Sequence, residues 1–425
     1  MEDISIFMSD TYVFHIDANS AFLSWSAVYR SEILGEPVDL RDIASIVGGD
    51  QEKRQGIVLA KSIPAKKYGI VTGEPLVTAF QKCPHLVSVP PDYKLYIKAS
   101  KALMSMLSEY TDCIVPYSID EAWAVFKGYN SLYGKDQMVS FAYMLKDRIH
   151  KELGFTVNIG ISTNFLLAKM AGDFSKPDKV HTLFLDEIPK KMWPLPVSDL
   201  FFVGKATTLK LHRLGIKTIG DLASADPKLV YSHLKSCGSM IQEFAKGQDL
   251  KPFLFMRDAN KGYGNSLTAP MDVSNITDAD EILLSLSETV ATRLRMDHVY
   301  AGEVSVHITT CDFEHKSMQE KLISSTNVTS EICEVAGKLL RRLWNQQIPI
   351  RQIGVHTSRL QSDEIYQYNL FTNNQHDRLK KLDVTIDKIR SRYGEDAIKR
   401  ACFLKSQIPH MGGGLDSAKR SGMIS

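Results

Sequence analysis

Six cysteines in 425 residues, at positions 83, 113, 237, 311, 333 and 402, never form a CxxC pair. That spacing argues against a zinc cage or a disulfide framework and fits a reducing cytosol. No apolar run approaches the roughly 18 residues a membrane-spanning helix needs, and no segment repeats at a fixed period. The opening residues, MEDISIFMSD, are acidic and lack the basic-then-apolar order of a secretion signal, so a cytoplasmic location is expected. Net charge is also nearly absent: 51 Lys and Arg against 49 Asp and Glu leave +2. A strongly basic or acidic chain is thereby excluded, and only the local distribution of charge is informative.

What is present is the make-up of a soluble globular protein, 44% hydrophobic and 24% charged, long enough for two to four domains. TYVFHID (11–17) reads as a buried strand running into a helix over 20–34. QGIVLAKSI (55–63) reads as a strand, 93–110 as an amphipathic helix beginning at Asp92, and CIVPYSIDEAWAVF (113–126) as two strands. A helix over 137–153 and a strand over 155–163 follow, then a helix holding LLAKMA. This order predicts an α+β sheet domain with helices on one face. Past Pro194 the chain turns helical and basic, with eight Lys/Arg (205, 210, 213, 217, 228, 235, 246, 251) against four Asp/Glu (221, 226, 243, 249). From about Gly262 a β/α pattern returns, with strands at 302–313 and 351–360 and helices near 283–294 and 332–343. The tail from Ser406 is Gly/Ser-rich and is expected to be disordered.

The stretch VPYSIDEAW (115–123) sets Asp120 and Glu121 side by side in a β-branched and aromatic run. Two buried carboxylates are costly unless something positive meets them. A hairpin turn is one reading, since Ser and Asp favour turns; a divalent-metal site is the other. Asp17, at the end of the first strand, is a third carboxylate that pairing of strands could bring alongside, although Asp before an apolar-periodic run also reads as a helix N-cap. Three carboxylates at a strand end suit hard cations such as Mg²⁺. Two such ions can clamp the attacking and leaving oxygens of a phosphoryl displacement.

HIDANSAF, YSIDEAW, GISTNFLLAKMAGDFSKP (160–177) and the segment 204–223 together resemble the Y-family DNA polymerases of the bacterial UmuC/DinB type, collinearly over about residues 12–360. Asn19, where DinB-type enzymes usually carry Asp, places the chain nearer UmuC. The resemblance implies a polymerase right hand: palm (1–22 and 85–180), small fingers (23–84), helical thumb (181–252), linker (253–262) and a βαββαβ-like little finger (263–362). Residues 363–425 would carry a clamp-binding motif, a helix and the tail. The implied activity is low-fidelity translesion synthesis in the SOS response, transferring a nucleotidyl group from dNTP to a primer 3′-hydroxyl on template DNA.

Residue by residue, the resemblance implies that Asp17, Asp120 and Glu121 hold two Mg²⁺ ions (with Mn²⁺ as a substitute), helped by the backbone carbonyl of Ala18. Phe22 matches the steric gate against a ribose 2′-hydroxyl, and Lys66 and Lys176 match triphosphate contacts, with Lys169 in support. Two positions depart from the DinB pattern: Ile63 stands where a tyrosine is usual, and Lys66 where arginine is usual. Isoleucine has no donor for a phosphate, and lysine lacks the bidentate fork. Gly204, Lys205, Thr207 and Lys210 lie in a segment resembling a helix-hairpin-helix that grips DNA phosphates, although Phe202 replaces the hairpin's first glycine. QYNLF resembles the peptide that binds the bacterial sliding clamp, with Gln367, Leu370 and Phe371 as its anchors. No second acidic cluster has the spacing of a proofreading exonuclease. Two other classes stay open at this point: a catalytically inactive adaptor that binds the clamp, and a nucleotide cyclase on a similar palm.

Overall fold

The computed structural model describes residues 11–49, 56–128, 132–249, 260–362, 375–404, 406 and 408–412. Gln367, Leu370 and Phe371 lie outside these residues. The described residues fall into two compact units, the first holding 11–49 and 57–249 and the second those from 260 onward.

In the first unit the elements run β1 (Thr11–Ala18), α1 (Ala21–Val28), β2 (Ser45–Gly48), β3 (Val58–Lys61), α2 (Ile63–Lys67), α3 (Leu76–Lys82), β4 (Val87–Val89) and α4 (Tyr93–Ser108). There follow β5 (Cys113–Pro116), β6 (Glu121–Lys127), α5 (Lys135–Leu153), β7 (Val157–Ser162), α6 (Phe165–Gly172) and β8 (Val180–Thr182). The main sheet has the order β5-β6-β1-β7-β8, antiparallel except for β7 and β8. Its central strand β1 is buried along its whole length. Tyr12, Phe14 and Ile16 point toward α4 and α5, meeting Leu103, Met106, Leu145 and Ile149. Val13 points the other way, with Trp123 and Val125, into a core formed with α6. Helices therefore cover both faces, which corrects the one-sided reading; a strand buried on both sides carries apolar residues on both faces rather than alternating, as Tyr12, Val13, Phe14 and Ile16 do. Helix α6 lies directly on β7 because Gly160 has no side chain: a Cβ there would come within 2.0 Å of the Ala168 carbonyl oxygen.

A smaller sheet, β3-β2-β4, carries α2 and α3 over a core that includes Ile46, Val58, Ala65, Ile70 and Leu76. The strand expected over 55–63 is shorter than that. Ser62 accepts a hydrogen bond from the Ala65 amide and Pro64 follows at the second helical position, so α2 begins at Ile63. After β8 come α7 (Lys205–Arg213), α8 (Ile219–Ser224) and α9 (Pro227–Ala245), joined through Leu211, Ile219, Leu222, Val230 and Phe244.

The second unit is βαββαβ: β9 (Gly262–Val273), α10 (Ile276–Met296), β10 (Val299–Thr310), β11 (His315–Thr326), α11 (Thr329–Leu343) and β12 (Ile350–Ser362). Its antiparallel sheet has the order β11-β10-β12-β9. Both helices pack on one face, where Leu286, Val290 and Leu340 meet Val304, Val306 and Val355. Helix α12 (Gln375–Tyr393) belongs to this unit: Asp383 and Asp387 pair with Arg295, and Arg390 pairs with Glu288. The expectation of disorder from Ser406 is corrected for the described part of the tail. Ser285 Oγ donates to the Pro409 carbonyl at 2.5 Å and accepts from the Gly412 amide at 2.7 Å, fixing that segment on α10.

Candidate active site

Strand pairing brings the three carboxylates into one neighbourhood. Asp17 on β1 is the cross-strand partner of Glu121 on β6, and the Ala18 amide donates to the Asp120 carbonyl at 3.0 Å. Between β5 and β6 the chain turns at Tyr117–Asp120. Ser118 Oγ accepts from the Glu121 amide at 3.2 Å and donates to the Asp120 carboxylate at 2.6 Å. Asp120 is thus a turn residue, as one reading of the hairpin expects, and its carboxylate lies in the same neighbourhood as those of Asp17 and Glu121. Asp17 is not a helix cap; that position belongs to Ser20, which adopts a left-handed φ of 48°.

Two lysines meet these acids. Lys169, buried on α6, donates to Glu121 Oε2 at 2.5 Å, and Lys176 contacts Asp17 and lies 2.8 Å from Asp173. His15, two residues before Asp17 on the same face of β1, is fully buried with Nε2 3.3 Å from Glu121 Oε2. Burial lowers the His15 pKa, and because the ionised Glu121 carboxylate can only accept, His15 Nε2–H is the donor to it. Burial acts to raise Glu121, but the His15 hydrogen bond and the Lys169 charge overcome it and hold the carboxyl at about 2. For Asp17 burial wins: it lies above the ordinary aspartate range despite Lys176, with the Glu121 charge adding to the rise. Asp120 is raised too, by burial and by repulsion from Asp17 and Glu121, against the Ser118 hydrogen bond.

Among the described residues no three His, Cys, Asp or Glu side chains are already grouped as a metal cage, because Glu121 is turned to Lys169 and Asp17 to Lys176. The donor set nevertheless fits hard divalent cations. Its acids are close enough to repel one another, and cationic neighbours already compensate two of them.

Beside Asp17 opens a cavity of about 340 Å³, lined by Ala18, Asn19, Ser20 and Leu23 at the start of α1, and by Arg41, Lys61, Ile63, Lys66 and Lys176. The first backbone amides of α1 lack intrahelical partners, and a helix N-terminus favours an anion. Lys66 and Lys176, both singled out in sequence, lie here. Phe22 does not line this cavity; it is half-buried and stacks on Tyr96, with ring centroids 4.3 Å apart. Arg41 and Lys61 escaped sequence reasoning. The visible sign for Lys61 was a lysine closing an otherwise apolar strand, two residues before Ile63.

Farther along the unit, Gly204 caps α7, with Lys205 and Lys210 exposed and Thr207 half-buried. Phe202 keeps a left-handed φ of 70°, so the turn persists without its glycine while the ring packs against Phe201 and Phe244.

Residues 16–173 match the impB/mucB/samB family, and residues 260–370 match the C-terminal domain of the same family. A DNA polymerase IV from Clostridium acetobutylicum is 45% identical over 395 residues, covering 93% of this chain and 98% of the relative. DNA polymerase IV 2 of Bacillus subtilis is 35% identical, covering 93% and 95%. Among solved structures, a Y-family DNA polymerase chimera of Dbh and Dpo4 superimposes with a TM-score of 0.66 at 22% identity, over 83% of this chain and 99% of the chimera. With its paired carboxylates on a palm-like sheet and its βαββαβ C-terminal unit, the chain belongs to the impB/mucB/samB family and is a Y-family DNA polymerase.

Proposed function

We propose that the chain extends primers on damaged template DNA by two-metal nucleotidyl transfer, with Asp17, Asp120, Glu121 and the Ala18 carbonyl as the metal-binding set. The observation that carries this reading is the Asp17–Glu121 register beside a cavity walled by cations and a helix N-terminus. Bound divalent ions would stabilise the charge that develops on the attacking and leaving oxygens. The chain's own residues bind and orient. His15 and Lys169 hold Glu121 ionised, Lys176 offsets Asp17, and Lys66 with the first amides of α1 faces the triphosphate. Phe22, stacked on Tyr96, acts as the steric gate.

Residues 1–22 and 85–180 act as the palm, 23–84 as the fingers, 181–252 as the thumb and 263–362 as the little finger after a linker at 253–262. Gly204, Lys205, Thr207 and Lys210 hold template or primer phosphates through exposed cations and helix amides. In the second unit, the face of the sheet away from its helices presents Ser305, His307, Gln319, Gln352, His356 and Ser266 in register, which suits hydrogen bonding to DNA. Sliding-clamp binding through Gln367, Leu370 and Phe371, and work with SOS accessory subunits, rest on the sequence resemblance alone. No described helix is long and apolar enough to cross a membrane.

The test is extension of a primed template with dNTPs and Mg²⁺ by the wild type beside Glu121→Ala. The wild type is expected to extend and the variant to bind DNA without extending. Inactivity of both proteins would favour the clamp adaptor.

A further inference from the structure

The cations that line the nucleotide cavity differ in how they are satisfied. Arg41 is committed: its guanidinium donates to both oxygens of Asp39 at 2.6–3.0 Å and to the Gly154 carbonyl at 2.7 Å. Lys176 is paired with Asp17 and Asp173. Lys61 has no ion-pair partner among the described residues. Its ammonium makes one hydrogen bond, to the Ile70 carbonyl at 2.7 Å, and touches no carboxylate among the described residues. Lys66, one turn away on α2, is exposed on the same cavity.

The neighbouring side chain makes the gap chemical. Ile63 is 55% exposed on this cavity and carries no donor. Whatever grips a phosphate at that wall must reach from an adjacent position. Lys61 closes β3 only two residues earlier, and Ser62 between them is occupied with the Ile43 carbonyl and the Ser45 and Ala65 amides. An ammonium has three donors on a flexible stem; the Ile70 carbonyl takes one and two are left. Burial and, after it, the charges of Lys66 and Lys82 lower the Lys61 pKa, against an opposing pull from the Glu74 carboxylate. An anion in the cavity would relieve both effects.

We propose that Lys61 is a triphosphate-binding residue of this chain, supplying from β3 the contact that Ile63 cannot make. The assignment rests on the polymerase reading of the cavity. It also accounts for how the site tolerates isoleucine: the donor has moved by two residues onto the strand.

The experiment is an equilibrium titration of dNTP into the full chain bound to a primer-template whose primer ends in a dideoxynucleotide, so that binding is read without chemistry. A fluorescent template base reports occupancy. Lys61→Met is expected to raise the dNTP Kd about tenfold, the scale of one hydrogen bond to a charged group. Lys61→Arg keeps the charge and is expected to retain most of the affinity, with primer-template affinity unchanged in both variants. An unchanged Kd in Lys61→Met with a lowered melting temperature would reduce Lys61 to a tether for the Ile70 carbonyl and overturn the proposal. Equal losses in Lys61→Met and Lys61→Arg would overturn it as well. A wild-type complex that binds DNA but no dNTP would overturn the polymerase reading, and Lys61 with it.

Discussion

Lys169→Met removes the ammonium that faces Glu121 and keeps most of the side-chain volume. The magnitude follows from Glu121, whose carboxyl is held at about 2 against an ordinary 4.5. That difference corresponds to roughly 3 kcal/mol favouring the ionised carboxylate in the folded chain, shared between Lys169 and the His15 hydrogen bond. Because the folded pKa is the lower one, this stabilisation is fully present above about pH 4.5 and is lost as pH falls toward 2. Removing Lys169 forfeits about half of it at pH 7. For the first unit that is a fall in melting temperature of about 3–6 °C. Thermal unfolding in EDTA at pH 7 and pH 3.5 measures it: the deficit is expected at pH 7 and a smaller one at pH 3.5. Added Mn²⁺ is expected to raise the melting temperature of the variant more than that of the wild type, since a divalent ion can replace the lost cation at Glu121. Equal melting at pH 7, or a deficit that grows on acidification, would refute the reasoning.

Asp120→Asn is expected to abolish incorporation and yet raise the melting temperature at pH 7. Burial and two like charges hold the Asp120 pKa above its ordinary value, so its ionisation costs stability as pH rises through that pKa; a variant that melts lower would contradict this. Phe22→Ala is expected to admit ribonucleotides in a single-nucleotide incorporation assay and to cost about 2 kcal/mol through the lost stack on Tyr96. Unchanged sugar discrimination with that stability loss would leave Phe22 as a packing residue only.

Much of the strand geometry at the candidate site was legible in the sequence, because β1 and β6 announce themselves by apolar runs interrupted at Asp17 and at Asp120–Glu121. Their pairing partner could only be inferred, and the register supplies it. The cover on the second face of the sheet was not legible. It depends on Gly160 letting α6 approach the backbone of β7, a contact with no periodic signature. Strand β11 was hidden for a different reason. It lies at a sheet edge and spells HKSMQEKLISST, so few of its residues are buried and polar positions dominate. Helix α12 was legible as a helix, but its attachment to α10 through Asp383, Asp387 and Arg390 was not, because buried ion pairs look in sequence like solvated charge. His15 and Lys61 escaped notice similarly: each is a lone polar residue in a strand, and only its neighbours in space reveal its role.

The most direct measurement is extension of a primed DNA template by the purified chain with dNTPs and Mg²⁺, beside Asp120→Ala, with primer-template affinity measured for both. Extension by the wild type alone at equal DNA affinity is the expected result and assigns the Asp120–Glu121 hairpin to metal-dependent nucleotidyl transfer. Extension by Asp120→Ala at the wild-type rate would contradict it.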